Sequence, residues 1–126
     1  MIEKITSSDA PAAIGPYVQG NKIGNLVFTS GQIALDPQTG LLKGNSVSEQ
    51  TEQVMQNLRA ILSAAGTDFS HAVKTTCFLT DMADFGEFNA VYEKYISSAA
   101  RSCIAAAALP KGALVEVEVI AEALVV

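Results

Sequence analysis

The stretch Arg101-Ser-Cys-Ile-Ala-Ala-Ala-Ala-Leu-Pro-Lys-Gly-Ala-Leu-Val-Glu-Val-Glu118 constrains the chain more than any other, because it sets a few polar groups into strongly apolar surroundings. An arginine opens it and two glutamates close it. Cys103 to Leu109 carries no charge, and Leu109-Pro110-Lys111-Gly112 places proline and glycine where a type I turn favours them. The expected structure is strand, tight turn, strand, with Ala105 opposite Val117 and Ala106 opposite Glu116. In the second strand a period of two puts Leu114, Glu116, Glu118 and Ile120 on one face and Val115, Val117, Val119 and Ala121 on the other. Two carboxylates thus stand where strands usually carry apolar or β-branched residues.

The remaining chain bounds what this stretch can belong to. Its 126 residues suit a single domain spanning 1–126, large enough to bury a core without disulfides or metal. Eight Lys and Arg stand against 13 Asp and Glu, a net charge of −5 with no basic run, which disfavours a nucleic-acid partner. No segment approaches the ~18 consecutive apolar residues of a membrane span, and the first residues carry no apolar core of a signal peptide. The expectation is a soluble, cytoplasmic protein with no membrane association. Cys77 and Cys103 lie apart in apolar stretches, as suits reduced, buried thiols. With His71 the only histidine and the cysteines unclustered, no metal site is expected.

Read in order, Pro11 to Pro16 is an extended arm ending at Tyr17. Tyr17 to Lys22 and Asn25 to Gly31 form a hairpin about Ile23-Gly24. Asp36-Pro-Gln-Thr-Gly40 is a turn. Ser46-Val-Ser-Glu49 has capping-box spacing, and Val47, Val54, Leu58, Ile61, Leu62 and Ala65 recur at helical spacing until Gly66. Val73 to Leu79 alternates as a strand. A second helix starts at Asp84-Phe-Gly-Glu87, with Phe85, Phe88, Tyr92 and Tyr95 on its buried side. The order β-β-α-β-α-β-β favours an α+β fold, two helices on one face of a mixed, largely antiparallel sheet. Two helices cover one face of such a sheet, and the apolar final segment Val119–Val126 adds to what needs cover, so a closed homo-oligomer is expected.

Several groups bear on chemistry. Arg101 is either a surface or ion-paired arginine, the commoner outcome, or a fork that binds a substrate carboxylate. Glu116 and Glu118 are either a solvated strand face or include one half-buried carboxylate whose raised pKa suits it to move protons. Cys103, two residues from Arg101, shares its side and reads as core or pocket lining. Tyr17 and Ser30 sit at strand ends as ordinary hydrogen-bonding groups or as site residues. His71 is assigned no role. Nucleotide-binding glycine motifs and a Ser-His-Asp set are absent from the sequence.

Ala12-Ala-Ile-Gly-Pro-Tyr17, Gly24 to Ile33, Asp36 to Gly40, Val73-Lys-Thr-Thr76, Asn89-Ala-Val-Tyr92, Ala100-Arg-Ser-Cys103, Leu109-Pro110 and Val115-Glu-Val-Glu118 together resemble the RidA family, also called YjgF/YER057c/UK114. The resemblance runs from about Ala10 to Ala121. It implies a chorismate-mutase-like fold and a homotrimer with ligand sites between subunits. It also implies cofactor-free hydrolysis of reactive enamines and imines of 2-oxo acids, such as 2-aminoacrylate, 2-iminopropanoate or 2-iminobutanoate, to the oxo acid and ammonia. By the same resemblance Arg101 clamps the substrate carboxylate and Glu116, rather than Glu118, handles the attacking water. Cys103, Tyr17, Ser30, Gly31 and Asn89 match pocket-lining positions. The chain has only Ile-Ser-Ser-Ala-Ala between Tyr95 and Arg101, fewer residues than is usual in the family; the second helix is expected to end near Tyr95, with Arg101 still reaching a cleft shared with another chain. The alternative is a non-enzymatic protein that binds small carboxylic acids in the same cleft; a ribonuclease role attributed to some relatives runs against the net charge.

Overall fold

The computed structural model describes residues 1–124. Six strands and two helices follow one another as β1 (Ile2–Ile5), β2 (Gly20–Ile23), β3 (Leu26–Thr29), α1 (Val47–Ala64), β4 (Ala72–Leu79), α2 (Phe85–Tyr92), β5 (Ala100–Ala105) and β6 (Val115–Glu122). The α+β class, the hairpin about Ile23-Gly24 and both helices agree with the sequence reading; β1 is an additional edge strand. Val125 and Val126, the end of the apolar tail, lie outside the described residues.

Local chemistry explains the elements. At the start of α1 the Ser46 hydroxyl accepts from the Glu49 amide at 3.1 Å, and the Glu49 carboxylate accepts from the Asn45 amide at 3.1 Å, so two otherwise orphaned amides are satisfied. Its apolar stripe, Val54, Met55, Leu58, Ile61 and Leu62, is wholly inaccessible to solvent and packs on the sheet. Each such side chain contributes roughly 1.5–3 kcal/mol by leaving water. From β6 the same core receives Val115, Val117, Val119 and Ala121, as the alternation predicts. No helix among the described residues is long and apolar enough to cross a membrane.

The sheet order is β1-β2-β3-β6-β4-β5, antiparallel throughout except for the parallel pair β4 and β5. This corrects the expected hairpin of the Arg101 and Glu116 strands. The two do not touch, because β4 lies between them. β4-α2-β5 is a crossover unit, so β5 pairs beside β4 on the side away from β6. Residues 106–114 then pass around the end of β4, tied by Ala106 N to Leu79 O at 2.7 Å and Thr80 N to Leu114 O at 3.2 Å. The turn within it is not type I: Lys111 has φ 58°, ψ 22°, a left-handed conformation that a type II turn requires at its third residue. Period-two alternation fixes which face a side chain takes and says nothing about which strand is its neighbour.

On the face without helices, Leu26, Phe28 and Ile104 remain more than a third exposed. The register partners of Phe28 and Ile104, Ile120 and Phe78, are half-buried beside them.

Candidate active site

Arg101 is the register partner of Thr75 and projects to the helix-covered face, where three side chains of α2 hold it. Its Nη1 donates to Asn89 Oδ1 at 2.6 Å. The guanidinium carbon lies 4.8 Å from the Tyr92 ring centroid and 5.3 Å from that of Phe85. Phe85, Asn89 and Tyr92 are spaced i, i+4 and i+7, one stripe of a helix, so the sequence delivers them together. The fork of an arginine has five N–H donors, and among the described residues no carboxylate pairs with this one. Beside it opens a depression of about 310 Å³ lined by Asn89, Tyr92, Ile96, Ala99 and Arg101 among others. The short connection is accommodated as expected in outline: α2 stops at Tyr92, and turn bonds from Tyr95 N and Ile96 N to Tyr92 O carry the chain toward β5.

Cys103 shares the Arg101 side and is half-buried; burial raises its thiol pKa and the nearby Arg101 charge partly offsets that. Its register partner Cys77 is fully buried, with a pKa pushed up to about 12 by burial. Both thiols are unpaired, and at neutral pH both stay protonated, so neither reads as a nucleophile.

Glu116 stands on the opposite face. It pairs with Phe78 across β6 and β4, and its neighbour is the backbone of Gly31. A Cβ on Gly31 would meet the Glu116 carboxylate, so any side chain at this position would push the carboxylate from where it sits. Gln32 N to Val117 O at 2.9 Å and Val117 N to Gln32 O at 3.2 Å press that segment onto β6. Burial, and next the Glu118 carboxylate, hold the Glu116 pKa above the ordinary carboxyl value. Among the described residues nothing donates a hydrogen bond to it. Glu118 instead lies in a recess with Lys74, Thr76, Phe28 and Ile120, so the register separates two glutamates that strand period alone could not.

Ser30 belongs to the Glu116 side through its chain neighbour Gly31, whereas Tyr17 lies on the arm, in a recess with Ala10, Ala12 and Pro37. Ser30 Oγ donates to Val18 O at 2.6 Å and its amide to Gln19 O at 2.9 Å, while Tyr17 is exposed. Gln19, which sequence reasoning did not single out, is buried and pins the arm that leads to Tyr17. Its side-chain nitrogen donates to Ser7 O, Ala10 O and Pro11 O at 3.1, 3.3 and 2.8 Å, and its oxygen accepts from Ser7 N at 2.6 Å. A glutamine in a strand beginning reads as solvent-facing; only its burial among backbone carbonyls reveals the role.

The sequence-predicted residues therefore form two groups and leave one apart. Arg101, Asn89 and Cys103 come together on one face near the β5 edge; Glu116, Gly31 and Ser30 gather elsewhere, and Tyr17 lies in the recess of the N-terminal arm. Arg101 and Glu116 lie three residues apart along β4 and two strands apart across it, which puts their Cα atoms about 14 Å apart, pointing to opposite faces. Within one chain they cannot share a small substrate.

Residues 7–123 match the family described as Endoribonuclease L-PSP. The chain is 46% identical over 126 residues to the 2-iminobutanoate/2-iminopropanoate deaminase of Salmonella typhimurium, covering 96% of this chain and 98% of that one. Its fold superposes on the crystal structure of yeast YEO7 with a TM-score of 0.95 at 40% identity, over 98% of this chain and 100% of that one. Escherichia coli TdcF, crystallised with bound serine, matches with a TM-score of 0.91 and 42% identity over 95% and 98% of the two chains.

Proposed function

Since the chain belongs to the endoribonuclease L-PSP family, which includes the RidA and YjgF proteins, we propose that it hydrolyses reactive 2-imino acids to 2-oxo acids and ammonia. The observation that carries this reading is the Arg101 fork, oriented by Asn89 and two aromatic rings and left without a carboxylate partner among the described residues. A planar guanidinium so held suits a ligand carboxylate bound by two parallel hydrogen bonds. The deaminase of Salmonella acts on small imino acids by its name, and serine, bound by the E. coli relative, carries an α-carboxylate.

The second half of the site comes, on this proposal, from a neighbouring subunit in a homotrimer. Apolar side chains on the helix-free face favour such a cover, and the opposite orientation of Arg101 and Glu116 calls for it. Arg101 then fixes the carboxylate, which leaves the adjacent iminium carbon beside the Glu116 carboxylate of the next chain. Ser30, Gly31, Tyr17, Asn89 and Cys103 line the space between.

The chemistry asks for little more. A protonated imine beside a carboxylate is already electrophilic. Glu116 accepts a proton from water as the C–O bond forms and returns it to nitrogen, giving a carbinolamine whose nitrogen is an ammonium and can leave as neutral ammonia. It then accepts the hydroxyl proton as the C–N bond breaks, and passes it to the departing ammonia, which restores the carboxylate and releases ammonium and the oxo acid. A raised pKa brings this carboxyl nearer the working pH, which favours both directions of transfer. No electrons change hands, so the steps require no redox cofactor. A net charge of −5 weighs against an RNA substrate.

Semicarbazide trapping of 2-iminobutanoate, generated by a threonine dehydratase with and without this protein, tests the proposal. Faster loss of the trappable imine with the protein is expected. Equal decay in both would leave a carboxylate-binding cleft without turnover.

A further inference from the structure

The Arg101 cradle rests on a buried hydrogen bond. Tyr92, whose ring lies under the guanidinium, is only 5% exposed, and its hydroxyl sits 2.7 Å from Thr75 Oγ1, itself fully buried. Thr75 is at the same time the strand partner of Arg101. The four side chains thus close a loop: β5 carries the arginine, β4 the threonine, and α2 the tyrosine and asparagine that meet them.

A tyrosine hydroxyl in the core requires a partner, and here one threonine meets that need. Threonine is stiff at χ1, so its Oγ1 has a fixed direction on a central strand. The ring of Tyr92 is therefore oriented from beneath the site. Cation–π attraction depends on the cation lying over the ring face, so a ring that rotates loses its hold on the guanidinium.

We propose that Thr75 is a positioning residue for carboxylate binding: it locks the Tyr92 hydroxyl, which fixes the ring that holds Arg101 in its binding orientation. This rests on the reading of Arg101 as the carboxylate clamp. Thr75 touches no substrate itself. It acts on the ground-state complex and the transition state alike, so its loss raises KM and leaves kcat nearly unchanged.

The test uses the whole protein and two readouts, calorimetric binding of 2-oxobutanoate and steady-state turnover of 2-iminobutanoate. Thr75→Val should weaken 2-oxobutanoate binding by about three- to tenfold, the range of one cation–π contact. Thr75→Ser, which keeps the hydroxyl, should bind within about twofold of the wild type. Thr75→Val combined with Tyr92→Phe removes both partners of the buried bond and should regain thermal stability, since no orphaned polar group remains. Its affinity should nevertheless stay reduced. Wild-type affinity in that folded double variant, or in Thr75→Val alone, would overturn the proposal, as would a wild-type protein that binds no 2-oxobutanoate. Should the wild type bind the oxo acid yet turn over no imine, the deaminase reading fails while the positioning role of Thr75 still stands or falls on the affinities.

Discussion

Arg101 enters the site with its contacts made, whereas Glu116 stands beside bare glycine backbone. The cation is gripped by Asn89, Phe85 and Tyr92, one stripe of α2. The carboxylate is half-buried, receives no hydrogen bond among the described residues, and has its pKa raised by burial. One half is held by contacts within the chain; the other carries a partial desolvation cost that its raised pKa records. On the proposed function, binding work and proton transfer fall to different halves, and each can be damaged alone.

Glu116→Gln is the largest blow to the acidic half. Turnover of 2-iminobutanoate should fall about 10²- to 10⁴-fold, the usual worth of a general base, while 2-oxobutanoate still binds. The same variant should be at least as heat-stable as the wild type at pH 7. Because the folded pKa is raised, the penalty is absent below the unfolded value of about 4.3 and grows as pH rises through the folded one, so the two melting curves should converge below about pH 4. A destabilised Glu116→Gln at neutral pH would contradict the description of this carboxylate.

On the cationic half, Asn89→Ala removes the amide oxygen 2.6 Å from Arg101. A hydrogen bond to a charged group is worth about 1.5–3 kcal/mol, so KM should rise roughly ten- to a hundredfold with a small change in kcat. An effect confined to kcat would erase the division of labour. Smaller still is Gly31→Ala, which displaces the end of the Glu116 side chain rather than any backbone. Stopped-flow turnover should fall about tenfold, as a misplaced base loses part of its 10²- to 10⁴-fold contribution, with oxo-acid binding weakened less than turnover.

The fold class was legible because helical and strand periods were regular: α1 announced itself through Ser46, Glu49 and the stripe to Leu62, and β6 through its alternating valines. β1 was missed, since Ile2-Glu-Lys-Ile5 is an edge strand too short to show alternation. That Arg101 and Glu116 need a second chain to meet was legible, since even a hairpin sets them too far apart along the strands. The strand that divides them was not, because nearness in sequence suggested a hairpin and only the parallel pairing of β4 with β5 shows it. Phe85 and Tyr92 read as the buried side of a helix, and Tyr92 is buried while Phe85 is partly so; that their faces also hold an arginine depends on β5 arriving at that edge. Thr75 and Gln19 looked like ordinary strand residues, because a buried hydrogen bond leaves no pattern in the sequence.

The central claim is that one active site takes its arginine from one chain and its glutamate from the next. Arg101→Ala and Glu116→Gln proteins, each inactive alone, can be mixed one to one, unfolded and refolded together, and assayed for 2-iminobutanoate turnover. In randomly mixed rings each cleft draws its two halves independently, so about one quarter of the clefts hold both intact side chains. Recovery of about one quarter of wild-type activity is the result this account predicts; a mixed oligomer as inactive as its parents would contradict it.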